Sequence, residues 1–210
     1  MLKERAPIEN ELLSAFAHGE IPSDRDFDLL LPPGPRSRSR LHWTPVRVAV
    51  TVARFLATSS NSRVLDVGSG CGKFACIGAI ATPGHFFGIE HRPLLHRDAL
   101  ELSERLKLNR AFFIEGDALA ADWTTFTAIY LFNPFWENLL PLERFNGAAM
   151  SKVHQFSLFT KIVNQKLAGL TVGARVATYH GFGGKFPPTF RKIHSMNIGR
   201  GPIEIWVKEA

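Results

Sequence analysis

A chain of 210 residues is the size of one domain and can bury about 70% of its unfolded surface without disulfides or metals. Hydrophobic residues at 45% and charged residues at 21% exclude wholesale disorder, and a formal net charge of +6 is compatible with an acidic partner without identifying one. The stretch MLKERAPIENELL is charged throughout and lacks the apolar centre of a secretory signal, and no run approaches the roughly 18 apolar residues of a membrane span. A soluble, cytoplasmic protein with no membrane partner is therefore expected.

Residues 8–18 read as a short amphipathic helix, followed by a proline-rich connector from Ile21 to about His42. Within it, LPPGPRSRSR brings Arg36, Arg38 and Arg40 close to Arg47. Such a segment suits a phosphate-contacting arm, but a solvated, partly mobile loop is the commoner form of this composition. Thr44 can cap a second helix, with Pro45 in its first position, running to about residue 57. Residues 1–44 thus form a helical and linker extension, and residues 45–210 the main domain.

After Asn61 short apolar runs alternate with helical segments. RVLDV, HFFGIE, AFFIEGD, FTAIYLF and ARVATYH read as strands one to five, with helices at KFACIGAIA, from Pro93 to about Leu108, and over 151–169. RKIHSMNI and IEIWVKE, joined by Gly-Arg-Gly-Pro, read as a terminal antiparallel hairpin. The expectation is an α/β fold: a Rossmann-like, doubly wound, mostly parallel seven-stranded sheet. Cys71 and Cys76 have no His/Cys cluster around them and read as packing residues, so no metal is expected.

VLDVGSGCGK joins the first strand to the next helix, where sheets of this kind bind nucleoside-containing ligands. Its spacing, Gly-x-Gly-x-Gly, departs from the dinucleotide fingerprint, whose third glycine falls where Lys73 stands. Asp66 at the strand end repels a pyrophosphate and suits an ammonium and a sulfonium. Glu90, ending the second strand, is placed to hold two ribose hydroxyls, and Asp117, closing the third, lies near an adenine edge.

These motifs resemble the class I S-adenosylmethionine-dependent methyltransferases over residues 45–208, through VLDVGSGCGKF, GIEHRP, EGDAL and FNPFW. The resemblance implies S-adenosyl-L-methionine as cofactor, with Asp66, Gly68, Ser69 and Gly70 at its methionine part, Glu90 and His91 at the ribose, and Asp117 and Ala118 at the adenine. His91 also reads, with Arg92, His96 and Arg97, as part of a solvated helix face. GSG-x-GK, GIE and the asparagine after the fourth strand are similar, more weakly, to the non-SET lysine methyltransferases, whose Asn-Asn-Phe is Asn-Pro-Phe here.

Methyl transfer needs a nucleophile about 3 Å from the methyl carbon and opposite the sulfur. For a nitrogen, acceptors must orient the remaining N–H bonds. Asn133, also near the cofactor, offers a side-chain carbonyl and Pro134 a backbone one. Phe135 and Trp136 offer ring faces to a base or a cationic amine. In related methyltransferases Asn/Asp-Pro-Pro followed by an aromatic marks transfer to nitrogen, and Asn133-Pro134-Phe135-Trp136 resembles it with Phe135 in place of the second proline. His180 and Trp43 are further substrate candidates, Trp43 as a lid or a hydrophobic staple, and GFGGKFPP (181–188) replaces a helix and suits a substrate gate. The reading is methyl transfer to a protein side-chain nitrogen, with Asn133, Pro134 and Phe135 catalytic. A nucleic-acid base, a small-molecule oxygen and a non-catalytic cofactor module are the alternatives; nucleic acid is the less favoured partner, and the oligomeric state is not set by the sequence.

Overall fold

From residue 63 onward each apolar run becomes a strand. The computed structural model describes residues 7–132 and 152–210. Its strands are β1 (Arg63–Val67), β2 (His85–Glu90), β3 (Ala111–Glu115), β4 (Ala128–Phe132), β5 (Arg175–Tyr179), β6 (Phe190–Ile198) and β7 (Gly201–Lys208). The helices are α1 (Ile8–Ala17), α2 (Asp24–Asp28), α3 (Pro33–His42), α4 (Val46–Leu56), α5 (Lys73–Ala81), α6 (Pro93–Arg105) and α7 (Lys152–Ala168).

One sheet runs β3-β2-β1-β4-β5-β7-β6. β1 to β5 pair in parallel, whereas β7 is antiparallel to both β5 and β6. The hairpin is thus inserted through its returning arm, and the turn at Gly199–Arg200 lies near the end of β5. The central strands β1 and β4 are covered on both faces, which is why they read as continuous apolar runs. One core joins α1, α4 and α5 to one face of the sheet; the other, around Val163 and Leu167 of α7, covers Leu65, Ile129 and Leu131. The stretch 181–188 contains no helix, as its glycines and prolines require, yet it is a packed loop. Phe182 is buried, and Phe186 stacks on Trp206 at 4.1 Å between ring centroids.

The proline-rich connector is helical. Ser23 caps α2 by accepting from the Asp26 amide at 3.2 Å, and Pro32 and Pro33 supply the fixed φ that opens α3. Arg36 turns back to donate to the Leu29 and Leu31 carbonyls, satisfying acceptors at the end of α2. Phe27, Leu30, Leu31 and Trp43 enter the same core as α4 and β4, so the extension shares the hydrophobic interior of the main domain. Thr44 does not cap α4: its hydroxyl bonds to the Tyr130 phenol at 2.8 Å, and α4 begins after Pro45, with the Val46 amide donating to Asp24 at 2.9 Å.

Lys73, where the dinucleotide fingerprint has glycine, is 2% exposed. Its ammonium donates to Asp24 and Asp28, each at 2.7 Å, and to Ser39 at 3.2 Å. Lys73→Met leaves Asp28 without its countercharge, while Asp24, 46% exposed, regains water. The expected loss is about 2–3 kcal/mol, less than for a fully buried pair. Urea denaturation measures it, and a change below about 1 kcal/mol would show that the clamp contributes little to stability.

Candidate functional site

The loop after β1 is strapped to the end of β2. The Gly68 and Ser69 amides donate to the Ile89 carbonyl at 3.0 and 3.1 Å, and the Gly70 amide donates to Glu90 at 2.8 Å. Gly70 has φ +57, and a Cβ there would lie 2.4 Å from Cζ3 of Trp43, so only glycine lets the indole close on the loop. The Trp43 indole N–H donates to the Pro35 carbonyl at 2.9 Å and the ring is buried. Trp43 is therefore a fixed wall and not a free lid.

Beyond the carboxyl ends of β1, β4 and β5 lies a cavity of about 270 Å³. Asp66, Gly68, Ser69, Trp43 and His180 all border it, together with Phe132 at the end of β4 and three guanidinium groups that sequence reasoning did not place there, Arg40, Arg92 and Arg200. Gly70, Glu90, His91, Asp117 and Ala118 do not line it. β3 ends at Glu115, so Asp117 lies in the following turn, exposed and accepting from the Leu119 amide at 2.8 Å, while Ala118 accepts from the Trp123 indole at 2.7 Å. Asn133, Pro134, Phe135 and Trp136 lie outside the described residues.

The two buried acids differ. Asp66 is 4% exposed and makes no side-chain hydrogen bond or ion pair with another described residue. Burial, and secondarily the charge of Glu90, push its carboxyl up to about 8. Burial also pushes Glu90 upward, but Arg92 and the amides of Arg92 and Gly70 outweigh it and hold Glu90 below the ordinary range. The Arg92 fork reaches Glu90 at 2.8 and 3.1 Å, its amide at 3.0 Å, and His91 Nδ1 lies 3.4 Å away. Glu90 is thus an anion with its acceptor sites engaged, whereas burial favours the protonated form of Asp66 at the border of the cavity.

These residues fit the cofactor implied by the motifs. The space on the Cβ side of Gly68 is open, the Ser69 hydroxyl is buried without a partner, and Asp66 presents a carboxyl to a cationic group. A ribose held by Glu90 requires Arg92 to release at least one carboxylate oxygen. His180 takes φ +62; partial burial keeps its imidazole below the usual value, so at neutral pH it is a neutral acceptor.

An ordinary aspartate ionises near 3.8, so between that value and about 8 the native state holds a proton that the unfolded chain releases. Asp66 therefore lowers stability as pH rises through this window. Relative to the native chain, Asp66→Asn gains stability from pH 5 to pH 8 in urea titrations; a pH-independent difference would refute the assignment. Arg92→Ala frees Glu90, and the expected result is S-adenosylmethionine binding several-fold tighter by calorimetry. Weaker binding would show that the fork positions Glu90 instead of competing for it.

The model of the protein-L-isoaspartate(D-aspartate) O-methyltransferase family matches residues 43–130, less than half of the chain. No curated protein sequence matches significantly. Among solved structures, an RNA methyltransferase from Salinibacter ruber in complex with S-adenosyl-L-homocysteine is similar over 76% of this chain and 90% of its own, with 19% identity and a TM-score of 0.56. TrmN from Thermus thermophilus is similar over 82% of this chain and 53% of its own, with 19% identity and a TM-score of 0.56. The sheet order, the glycine loop with its acids and the partial family match place the chain in the class I S-adenosylmethionine-dependent methyltransferase superfamily.

Proposed function

We propose that the chain transfers a methyl group to a nitrogen of a nucleic-acid base. The observation that carries this reading is the charge pattern of the cavity: an unpartnered buried acid, Asp66, at its floor and the guanidiniums of Arg40 and Arg200, which have no ion pair among the described residues, at its border, with Arg92 paired to Glu90. An acid at the floor suits the cationic end of the donor, and a cationic rim suits a polyanionic acceptor. Of the protein side-chain nitrogens expected first from the sequence, an amine carries positive charge and meets that rim at a disadvantage. The RNA methyltransferase of similar fold is consistent with the nucleic-acid acceptor.

Bound S-adenosyl-L-methionine supplies an electrophilic methyl group on a sulfonium. Asp66 and the Gly68–Gly70 loop would hold its methionine part, Glu90 and His91 would serve the ribose, and Asp117 and Ala118 the adenine. Asn133 and Pro134 orient the acceptor N–H bonds through their carbonyls, and Phe135 and Trp136 contact its ring. His180 takes the proton that the nitrogen gives up, and Trp43 closes the loop side of the cavity. Positioning supplies most of the acceleration, because an in-line displacement depends on placing the nucleophile.

Incubation with donor radiolabelled at the methyl group, and separate RNA, DNA, protein and small-molecule fractions, tests the acceptor. Label recovered as an N-methylated nucleoside is expected; label in the protein fraction overturns the reading, and no label in any fraction points to a cofactor-binding module. Asn133→Ala is expected to lower turnover about 100-fold with donor affinity within about twofold, and equal loss of both would remove the division of roles.

A further inference from the structure

Beside the cofactor cavity lies a second groove of about 520 Å³, between α2, α3 and the β6–β7 turn. Arg40, Trp43, Pro45 and Arg200 border both spaces, so the two are contiguous. Arg25 and Arg36 add two further guanidiniums to the groove. None of these four arginines forms an ion pair among the described residues. Two carboxylates also line the groove, Asp24 and Asp28, and both are engaged by Lys73.

The guanidiniums are set by structure and not merely by composition. Arg36 is held by the Leu29 and Leu31 carbonyls, which fix its fork without neutralising it. Arg200 sits in the β6–β7 turn, where its amide donates to the Tyr179 phenol at 3.2 Å and its Nη1 to the Arg40 carbonyl at 3.4 Å. Segments 160 residues apart thus bring arginines to one wall. Planar guanidiniums bind phosphate oxygens through paired N–H groups, and four of them with no ion pair of their own outnumber the two carboxylates that share Lys73, which suits a repeating anion.

We infer that this groove is the track for the phosphodiester backbone of a single-stranded nucleic acid whose acceptor base turns into the adjoining cavity. The inference rests on the reading of the acceptor given above. A single strand is favoured because a base must leave its stack to enter a cavity walled by Trp43 and Phe132, and a duplex would add the cost of breaking its pair. Leu29, 45% exposed on the groove, offers an apolar surface to a neighbouring base or sugar. The phosphates position the strand, and the cavity selects what is methylated.

The test is fluorescence-anisotropy binding of a labelled single-stranded RNA dodecamer to the full chain between 50 and 200 mM salt, with Arg25→Glu and Arg200→Glu. Each variant is expected to bind roughly 5- to 10-fold more weakly and to flatten the log–log salt dependence by about 0.7 per lost phosphate contact. Arg25→Glu, which lies outside the cofactor cavity, should bind S-adenosylmethionine as the native chain does, showing that it is folded. Native affinity and salt slope in both variants would overturn the track, as would tighter binding of a poly-glutamate peptide than of the RNA. If RNA is methylated while both variants bind it normally, the track fails and the acceptor reading stands. If both variants lose RNA affinity but the label goes to protein, the track stands and the acceptor reading falls.

Discussion

The site depends on one buried ammonium. Lys73 has three N–H donors, and Asp24, Asp28 and Ser39 supply three acceptors, so the group is fully satisfied in an interior where an unsatisfied charge could not persist. Because Lys73 opens α5 directly behind the glycine loop, its bonds fix α2 and α3 against that loop. The same placement seats Trp43 on Gly70 and brings Thr44 to the Tyr130 phenol. An apolar side chain would bury as readily, but it would not dictate the register of the extension so narrowly. Three directional bonds do, which is the use to which a buried ion cluster is best put.

The electrostatics of the cavity follow from where that clamp leaves the remaining charges. Glu90 receives its counter-ion from its own neighbour, Arg92, and stays ionised. Asp66 receives none and holds its proton. Two acids that flank one loop in space therefore sit in opposite states, Glu90 ion-paired and Asp66 held toward its protonated form by burial. The basic side chains form the complementary part, since the acids among them are used by Lys73.

The strands were legible because their apolar runs are short, β-rich and separated by clear turn residues, and the acid near the end of the first strand stood out because it sits in a motif. The clamp was not. Its partners lie 34, 45 and 49 residues before Lys73, and nothing in a local pattern connects them. The helical character of residues 24–42 was hidden by prolines that here open a helix instead of preventing one. Thr44 looked like a cap because the capping carboxylate comes from Asp24, far away in sequence. Asp117 was placed on a strand because an acid two positions beyond the true end looks the same in one dimension. Trp43 read as either a lid or a staple because its contact with Gly70 is a tertiary fact with no trace in the local sequence.

The insertion of β7 between β5 and β6 has a consequence for the making of the protein. The turn that carries Arg200 cannot settle beside β5 until the strand that follows it has left the ribosome and paired, and that strand runs to Lys208. Until then the nascent chain has a glycine loop but an open-sided cavity. At synthesis rates of about 5–20 residues per second the earlier strands have seconds in which to form first. Competence to close around a ligand therefore arrives with the final element of the sheet, and a chain truncated before β7 would have the loop without the enclosure.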